Sequence, residues 1–512
     1  MRARERDERR IELMPPRPEH SASARVGEGF PLRSILVCHS YFLRFDEKQR
    51  ERAKPYPPLA TLHVAALLRA AGHDVAVFDA MLAAGIEDYH AQLHAVRPEV
   101  VVFYEDNYNF LSKMCLGRMR EACCEMIASA RAGGARVVAA GSDASDAPDP
   151  YLAAGADAVL LGEGLAALMA LVDRLAGDLA LAVPQLVAGL PDVSAKIGGN
   201  TLRSTAAAPL PEPALPKLPA RDLIDLEPYR ALWRSAHGFF SLNMAASRGC
   251  SFRCDWCAKP IWGNRYLQRS AADVAAEMLR LRREYAPDHV WFADDIFGFR
   301  VDWVREFAAA LTQGGGGVQF TIQLRADLVS PGMAAALRDA GCREVWIGAE
   351  SGSQKILDAM HKGTRIDDIL EARGSLGAEG IRVGFFLMLG YLGEELGDIL
   401  ATRDLLERTR PDDIGVSVAY PLPGTKFFDA VKRQLGEKRN WHESNDLEMM
   451  FSGTYRSEFY RSVRDLLHDQ VAQGLTAPVR ERWDDLVSNE AQFRRSGDDG
   501  ALEQFRAARA GP

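Results

Sequence analysis

Short, wholly apolar runs alternate along this chain with longer stretches whose apolar residues recur every three or four positions. The first runs are "RSILVCHSYF", "VAVFDA", "EVVVFYEDNYNF", "ARVVAAGSDAS" and "ADAVLLGEG". They show no in-out alternation, so they read as strands covered on both faces. Between them, "PPLATLHVAALLRAAGHDV" has helical spacing and ends at Gly72. Strand–helix alternation of this kind predicts an α/β fold with a parallel, doubly wound, Rossmann-like sheet over residues 34–177. A second series starts at Phe239 with six strand-helix pairs: "FFSLNMAAS", "DHVWFADD", "VQFTIQL", "REVWIGAE", "RVGFFLML" and "DIGVSVAY". Ser270 with Asp273 forms a helix-start signal, and "SPGMAAALRDAG" carries Ser at the cap, Pro in the first turn and Gly past the end. Six such units predict a partial (β/α)6 TIM-like barrel over 239–435, with chemistry at the C-terminal strand ends. The remainder divides into a disordered leader (1–33), a Pro-rich linker with room for a short hairpin (178–238, with "PLPEPALPKLP") and a mainly helical C-terminal region (436–512).

Composition narrows the function classes. With 512 residues and 47% hydrophobic content, there is enough chain for two or three cored domains. A net charge of −8 argues against a nucleic-acid surface as the main role, so no nucleic-acid partner is expected. The N-terminus has no apolar core segment, and "LAALMALVDRLAGDLALAV" is broken by Asp173, Arg174 and Asp178; neither a signal peptide nor a membrane span is expected. That makes a cytoplasmic, thiol-reducing setting the expectation, where clustered cysteines serve metals or catalysis. The GGGG at Gly314–Gly317 has no following Lys-Ser or Lys-Thr and reads as a helix-to-strand connector.

The candidate chemistry lies in "ASRGCSFRCDWCAKPIWG", Ala246 to Gly263, which holds Cys250, Cys254 and Cys257 of the chain's eight cysteines. Four thiolates complete a structural zinc site; three leave one position of a metal group open. Paired C-x-x-C units are missing, but His237 or His289 could serve as a fourth zinc ligand, so zinc remains open on spacing alone; Cys342 stands alone about 85 residues on. The loop follows the first strand of the second series, at the catalytic rim of a barrel.

At that rim the segment resembles the cluster loop of the radical S-adenosylmethionine (SAM) enzymes, including the aromatic Trp256 before the third cysteine. The resemblance implies a 4Fe-4S cluster on Cys250, Cys254 and Cys257, with SAM on the open iron. Other strand ends resemble the family's SAM contacts: "FADDIF" implies Asp294 and Asp295, "QLRADL" implies Arg325 with Asp327, and "IGAESGS" implies Glu350 and Ser351. "AYPLPGT" resembles the Pro-rich rim beside the adenine. Each residue also has a structural reading: the aspartates as helix caps, Arg325 as a partner of Asp327 or Glu350.

The first domain lacks G-x-G-x-x-G after its first strand, which argues against a nicotinamide dinucleotide. "PPLATLHVAALLRAAGHDVAVFDA" and "AGSDASDAPDPYLAAGADAVLLGEG" look like the cobalamin-binding domain fused ahead of radical SAM barrels. The Asp-x-His-x-x-Gly motif of classical cobalamin domains is missing. The candidate contacts are Tyr104, Asp106, Asn107 and Tyr108, then Ser142 and Asp143, then Gly162, Glu163 and Gly164. The resemblance implies a cobalamin-dependent radical methyltransferase acting on an unactivated carbon of a small-molecule or lipid substrate, with a flavodoxin- or ferredoxin-type electron donor. Three alternatives stand: radical cyclisation or rearrangement without methyl transfer; methylthiotransfer, which needs three further cluster cysteines where this chain offers Cys38, Cys115, Cys123 and Cys124; and a zinc-stapled binding module. In the C-terminal region the spacing of Phe459, Val463, Leu466 and Leu467 predicts a core-facing helix. A lid over the substrate, with His442 and Tyr455 as contacts, is the sharper alternative.

Overall fold

The computed structural model describes residues 32–109, 117–204, 218–257, 265–435 and 447–495. The first five apolar runs form β1 (Ser34–Cys38), β2 (Asp74–Phe78), β3 (Val100–Tyr104), β4 (Arg136–Ala140) and β5 (Ala158–Leu160). All pair in parallel in the order β2-β1-β3-β4-β5. Side chains on the two faces enter different cores, as uniformly apolar strands require. Ile35, Val37, Val100 and Val102 pack with Leu62 and Leu171, whereas Leu36, Val101, Phe103 and Val137 pack with Met126 and Ile127. The strand order reverses between β1 and β3, so their C-terminal ends open the crevice where doubly wound folds bind ligands.

The segment expected to be a linker is largely structured. Val193–Ile197 (β6) and Asn200–Arg203 (β7) continue the first sheet as antiparallel strands, with Val159 opposite Ser194. The helix Glu227–His237 follows, with Tyr229 and Trp233 buried. Residues 205–217, which hold half of this segment's prolines, lie outside the described residues. The short hairpin that this segment leaves room for is present, and the Pro-rich composition gave no sign that its strands join the first sheet.

The second series gives β8 (Ser241–Met244), then a small hairpin of β9 (Ser247–Gly249) and β10 (Tyr266–Gln268). It continues with β11 (His289–Phe292), β12 (Gln319–Leu324), β13 (Cys342–Glu350), β14 (Arg382–Leu389) and β15 (Asp413–Val418). β8 and β11 to β15 pair in chain order, all parallel, as an open six-stranded partial barrel. Ser270 and Ser330 cap their helices through Asp273 N and Met333 N.

One apolar cluster runs through both halves, from Leu36 and Phe42 to Phe240 and Leu242. Polar contacts lock that interface. Trp233 Nε1 donates to Pro55 O at 2.7 Å, Asn243 Nδ2 to Pro57 O at 2.8 Å, and Tyr229 OH to Asp79 Oδ2 at 2.7 Å. These contacts tie the strand ends of the first sheet to the start of the barrel. Trp233→Ala should therefore cost about 3–5 kcal/mol, read as a lower denaturant midpoint, from the lost burial and the orphaned Pro55 carbonyl. Arg234→Ala, on the half-exposed face of the same helix, should change stability by less than about 0.5 kcal/mol.

Candidate functional site

The cysteine loop leaves β8 and turns through Gly249, whose φ of 75° only glycine adopts without strain. Its start is pinned from below. Asp294, just past β11, is buried and accepts from Ala246 N at 2.9 Å and Ser247 Oγ at 2.5 Å. Burial pushes its carboxyl up to about 7, while the Ser247 hydroxyl and the Ala246 amide pull it back. The middle of the loop is pinned by Asp255. Its N–H donates to Met360 O at 3.1 Å, its carbonyl accepts from Phe427 N at 3.0 Å, and its buried carboxylate pairs with His361 Nδ1 and, at 3.3 Å, with Lys426 Nζ. With these fastenings made by aspartates, Cys254 and Cys257 remain partly exposed; Cys250 is buried.

Arg325 follows β12, and its Nη1 lies 3.7 Å from Cys254 Sγ. Its guanidinium also forks onto Asp327 at 2.9 and 3.0 Å, reaches Lys362 O at 2.6 Å and Thr364 Oγ1 at 3.0 Å, and covers the Phe252 ring at 3.8 Å. Burial alone would lower its pKa; Asp327, with Cys254 and Cys250, outweighs that and holds it raised and charged.

Glu350 ends β13 with a φ of 60°, where the pairing to β14 shifts register. The irregularity turns its carboxylate onto Lys362 Nζ at 2.7 Å, and both side chains are buried. A Cβ on Gly348 would sit 2.7 Å from both charged groups, so a side chain there would have to displace the pair. Lys362 Nζ is 5.9 Å from the Trp256 ring centre. His361 (φ 48°) and Gly363 (φ 71°) bracket Lys362 in left-handed backbone. This Met360–Thr364 turn therefore touches the cysteine loop, Arg325 and Glu350 together.

Cys250, Cys254, Trp256, Arg325 and Glu350 thus share one mouth with Cys257. Asp294 is committed to the loop backbone. Ser351 is fully buried, accepts from Ser353 N at 3.1 Å and lies 3.3 Å from Thr402 Oγ1. Both therefore support the rim from beneath, and Asp295 keeps the more exposed place. Sequence reasoning missed Asp255, Lys362 and Glu394. A carboxylate between two cysteines and a lysine before a turn glycine were the available signals. Glu394, after β14, is fully buried; its Oε2 accepts from Gly390 N at 2.6 Å, while Oε1 has no hydrogen-bond partner. Burial pushes this carboxyl up to about 8, against the Gly390 bond.

The zinc reading loses its fourth ligands. His289 begins β11 and contacts Ser241, the first residue of β8, at 2.8 Å, at the opposite strand end from the cysteine loop. Burial also lowers its pKa to about 4. Cys342 begins β13 at that same end, and His237 bonds Ala53 O at 3.0 Å. Among the described residues no three His, Cys, Asp or Glu side chains converge as ligands of one metal ion. Three thiols on one loop with a guanidinium beside a sulfur suit a larger thiolate-held group.

In the first domain every candidate lies at a C-terminal strand end. Tyr104 OH donates to Glu163 O at 2.8 Å. Asp106 is buried and accepts from Ala60 N at 3.0 Å and Tyr108 N at 3.3 Å. Asp143 is held by Arg120 Nε at 2.7 Å and Tyr151 OH at 2.6 Å, which leaves it a structural role. Ser142 Oγ lies 3.5 Å from Asn107 Oδ1, and the buried Asn107 Nδ2 is unpartnered. Gly162 and Gly164 flank Glu163 at φ 68° and 61°. Glu163 itself pairs across the domains with Arg248 of β9. In the C-terminal region, Phe459, Val463, Leu466 and Leu467 are buried on the helix Ser457–Gln473. Tyr455 is buried and held between Leu396 N and Glu490 rather than facing a ligand; His442 lies outside the described residues.

Residues 244–406 match the family model described as the radical SAM superfamily. An uncharacterized methyltransferase of Pyrococcus horikoshii is 26% identical over 296 residues, 57% of this chain and 62% of that protein. A tRNA-2-methylthio-N(6)-dimethylallyladenosine synthase of Prosthecochloris aestuarii is 27% identical over 260 residues, 48% of this chain and 56% of that protein. The chain thus spans about three fifths of the length of these relatives. The solved radical SAM methyltransferase TsrM from Kitasatospora setae, with cobalamin and a 4Fe-4S cluster bound, superposes with a TM-score of 0.62 at 18% identity, over 80% of this chain and 76% of that one. The two-part architecture is therefore shared with that protein.

Two measurements check the site. Lys362→Met leaves Glu350 as a buried, unpaired carboxylate and should cost about 3–5 kcal/mol in denaturant unfolding of the metal-free chain; adding Glu350→Gln should recover part of it. Glu394 has its folded pKa raised above the unfolded value, so its cost is absent below pH 4.5 and grows as pH rises to about 8. Glu394→Gln should remove that fall. The stability of the parent relative to the variant should decline between about pH 5 and 8 and then level off, by thermal unfolding across pH.

Proposed function

We propose, from the premise that residues 244–406 form a radical SAM domain, that this protein is a cobalamin-dependent radical methyltransferase acting on an unactivated carbon of a small molecule or lipid. The observation that carries this reading is the arrangement at the barrel mouth: three thiols of one loop, fastened by carboxylates, opposite the strand-end loops of a doubly wound domain. Cys250, Cys254 and Cys257 would hold a 4Fe-4S cluster. Trp256, Asp295, Arg325 and Glu350 would line the SAM site, with Asp294 and Ser351 supporting it. Tyr104, Asn107, Ser142 and the Gly162–Gly164 turn would meet cobalamin, with Asp106 and Asp143 holding their loops. Once bound, these groups supply a one-electron reductant for the sulfonium of SAM and a transferable methyl group.

The chain's own residues then do the positioning. Arg325 donates toward Cys254 Sγ and keeps a fixed positive charge beside that sulfur. The Glu350–Lys362 pair adds no net charge and fixes the rim against Trp256. The shared apolar core between the halves holds the two cofactor loops at a set distance and limits water entry. Methylthiolation is the weaker reading. Of the four cysteines that reading would use, Cys38 and Cys123 are buried in the core of the first domain, burial raises the Cys38 thiol far above a ligand-ready value, and Cys115 lies outside the described residues. A ferredoxin- or flavodoxin-type protein would supply electrons.

The test is an anaerobic incubation of cofactor-loaded protein with methyl-deuterated SAM and a reductant, screened against candidate metabolite and lipid extracts. The expected result is near-stoichiometric cobalt and a product heavier by one deuterated methyl group, lost in Cys254→Ala. A full iron complement without cobalt, and turnover without label transfer, would move the reading to radical rearrangement.

A further inference from the structure

Arg248 and Glu163 come from different halves of the molecule, and their side chains meet with only 18% and 11% of their surface exposed. Their supports are unequal. Glu163 sits between Gly162 and Gly164, both left-handed, and a Cβ on Gly164 would fall 2.7 Å from Leu160 Cβ. Gly162 N donates to Ser145 Oγ at 3.0 Å, and the Glu163 carbonyl takes the Tyr104 hydroxyl at 2.8 Å. The carboxylate therefore projects from a turn fixed on both shoulders by β3 and the β4–β5 connection. Arg248 is the middle residue of β9, two positions before Cys250. The β9–β10 hairpin belongs to neither large sheet, so no ladder of the barrel sets where it lies. Asp294 holds it from beneath; Arg248 ties it to the first domain.

We propose that the Arg248–Glu163 pair is a registration link through which the first domain sets the position of the cysteine loop. Both are positioning residues that act through the hairpin. The inference rests on the proposed cofactor reading only for its spectroscopic arm, because the link itself joins protein to protein. An ordinary interface ion pair would stabilise the two halves against each other without altering the loop.

The experiment uses the full chain, reconstituted anaerobically, as the parent, Arg248→Met, Glu163→Gln and the exchanged pair Arg248→Glu with Glu163→Arg. Amide exchange is read in peptides covering residues 245–257 and, as a control, the β13 core. The electron paramagnetic resonance of the reduced cluster is recorded alongside. Each single variant should speed exchange in 245–257 by about tenfold with the β13 peptides unchanged, and should alter the cluster spectrum. The exchanged pair should return both toward the parent; if it fails to fold, Arg248→Lys, which keeps the charge, should fall between parent and Arg248→Met. Single variants whose 245–257 exchange stays within about twofold of the parent would overturn the proposal, as would equal acceleration of the β13 peptides. A parent without any cluster signal would instead overturn the cofactor reading, and the exchange comparison would still decide the link.

Discussion

A loop that must offer its thiols to a ligand cannot use them to hold itself in place. Here the fastening falls to two buried aspartates. Asp294 takes the amide of Ala246 and the hydroxyl of Ser247 before the first cysteine, and Asp255 ties the stretch between the second and third to Met360, His361 and Phe427. Buried carboxylates are tolerated only with partners, and each of these has backbone or cationic ones. The positions of Arg325 and Lys362 follow from the same fastening, because the Met360–Thr364 turn that receives Asp255 also receives the Arg325 guanidinium and carries Lys362 to Glu350. The strain in this region, left-handed backbone at Glu350 and His361, sits on residues that make these contacts.

The second constraint is the relation of the two halves. The first sheet reverses strand order between β1 and β3, and its ligand crevice opens at those C-terminal ends. The barrel's chemistry lies at its own C-terminal ends. The Arg248–Glu163 pair shows the two sets of ends meeting, and the shared core around Leu36, Trp233 and Leu242 makes that meeting part of the fold. A reaction needing two bulky cofactors on either side of one substrate needs this rigidity.

Much of this was legible in the sequence because strands covered on both faces must be uniformly apolar. The parallel strands of both sheets followed from that pattern, and the serine-capped helices from their own Ser, Pro and Gly end signals. The β6–β7 hairpin was legible only as a short turn-back within the Pro-rich segment; that it extends the first sheet was not, because strands of four and five residues beside a proline tract carry little periodicity. At the site, the cysteine spacing pointed to a loop that the structure sets between β9 and β10 past the C-terminal end of β8, since metal-ligating thiols must be close in space. The division between Asp294 and Asp295 was not legible. Both are acidic and adjacent, and only the course of the chain just past β11 decides that one turns inward onto the loop backbone. Lys362 was hidden for a related reason: its partner, Glu350, lies twelve positions away at an irregularity in β13 that no pattern announces.

The central claim is that the three thiols hold a cluster with one iron open to SAM. Electron paramagnetic resonance of the reduced, anaerobically reconstituted chain, before and after SAM is added, tests it most directly. The account predicts the signal of a four-iron cluster whose line shape changes on adding SAM. One zinc per chain, no sulfide and no such signal would contradict it.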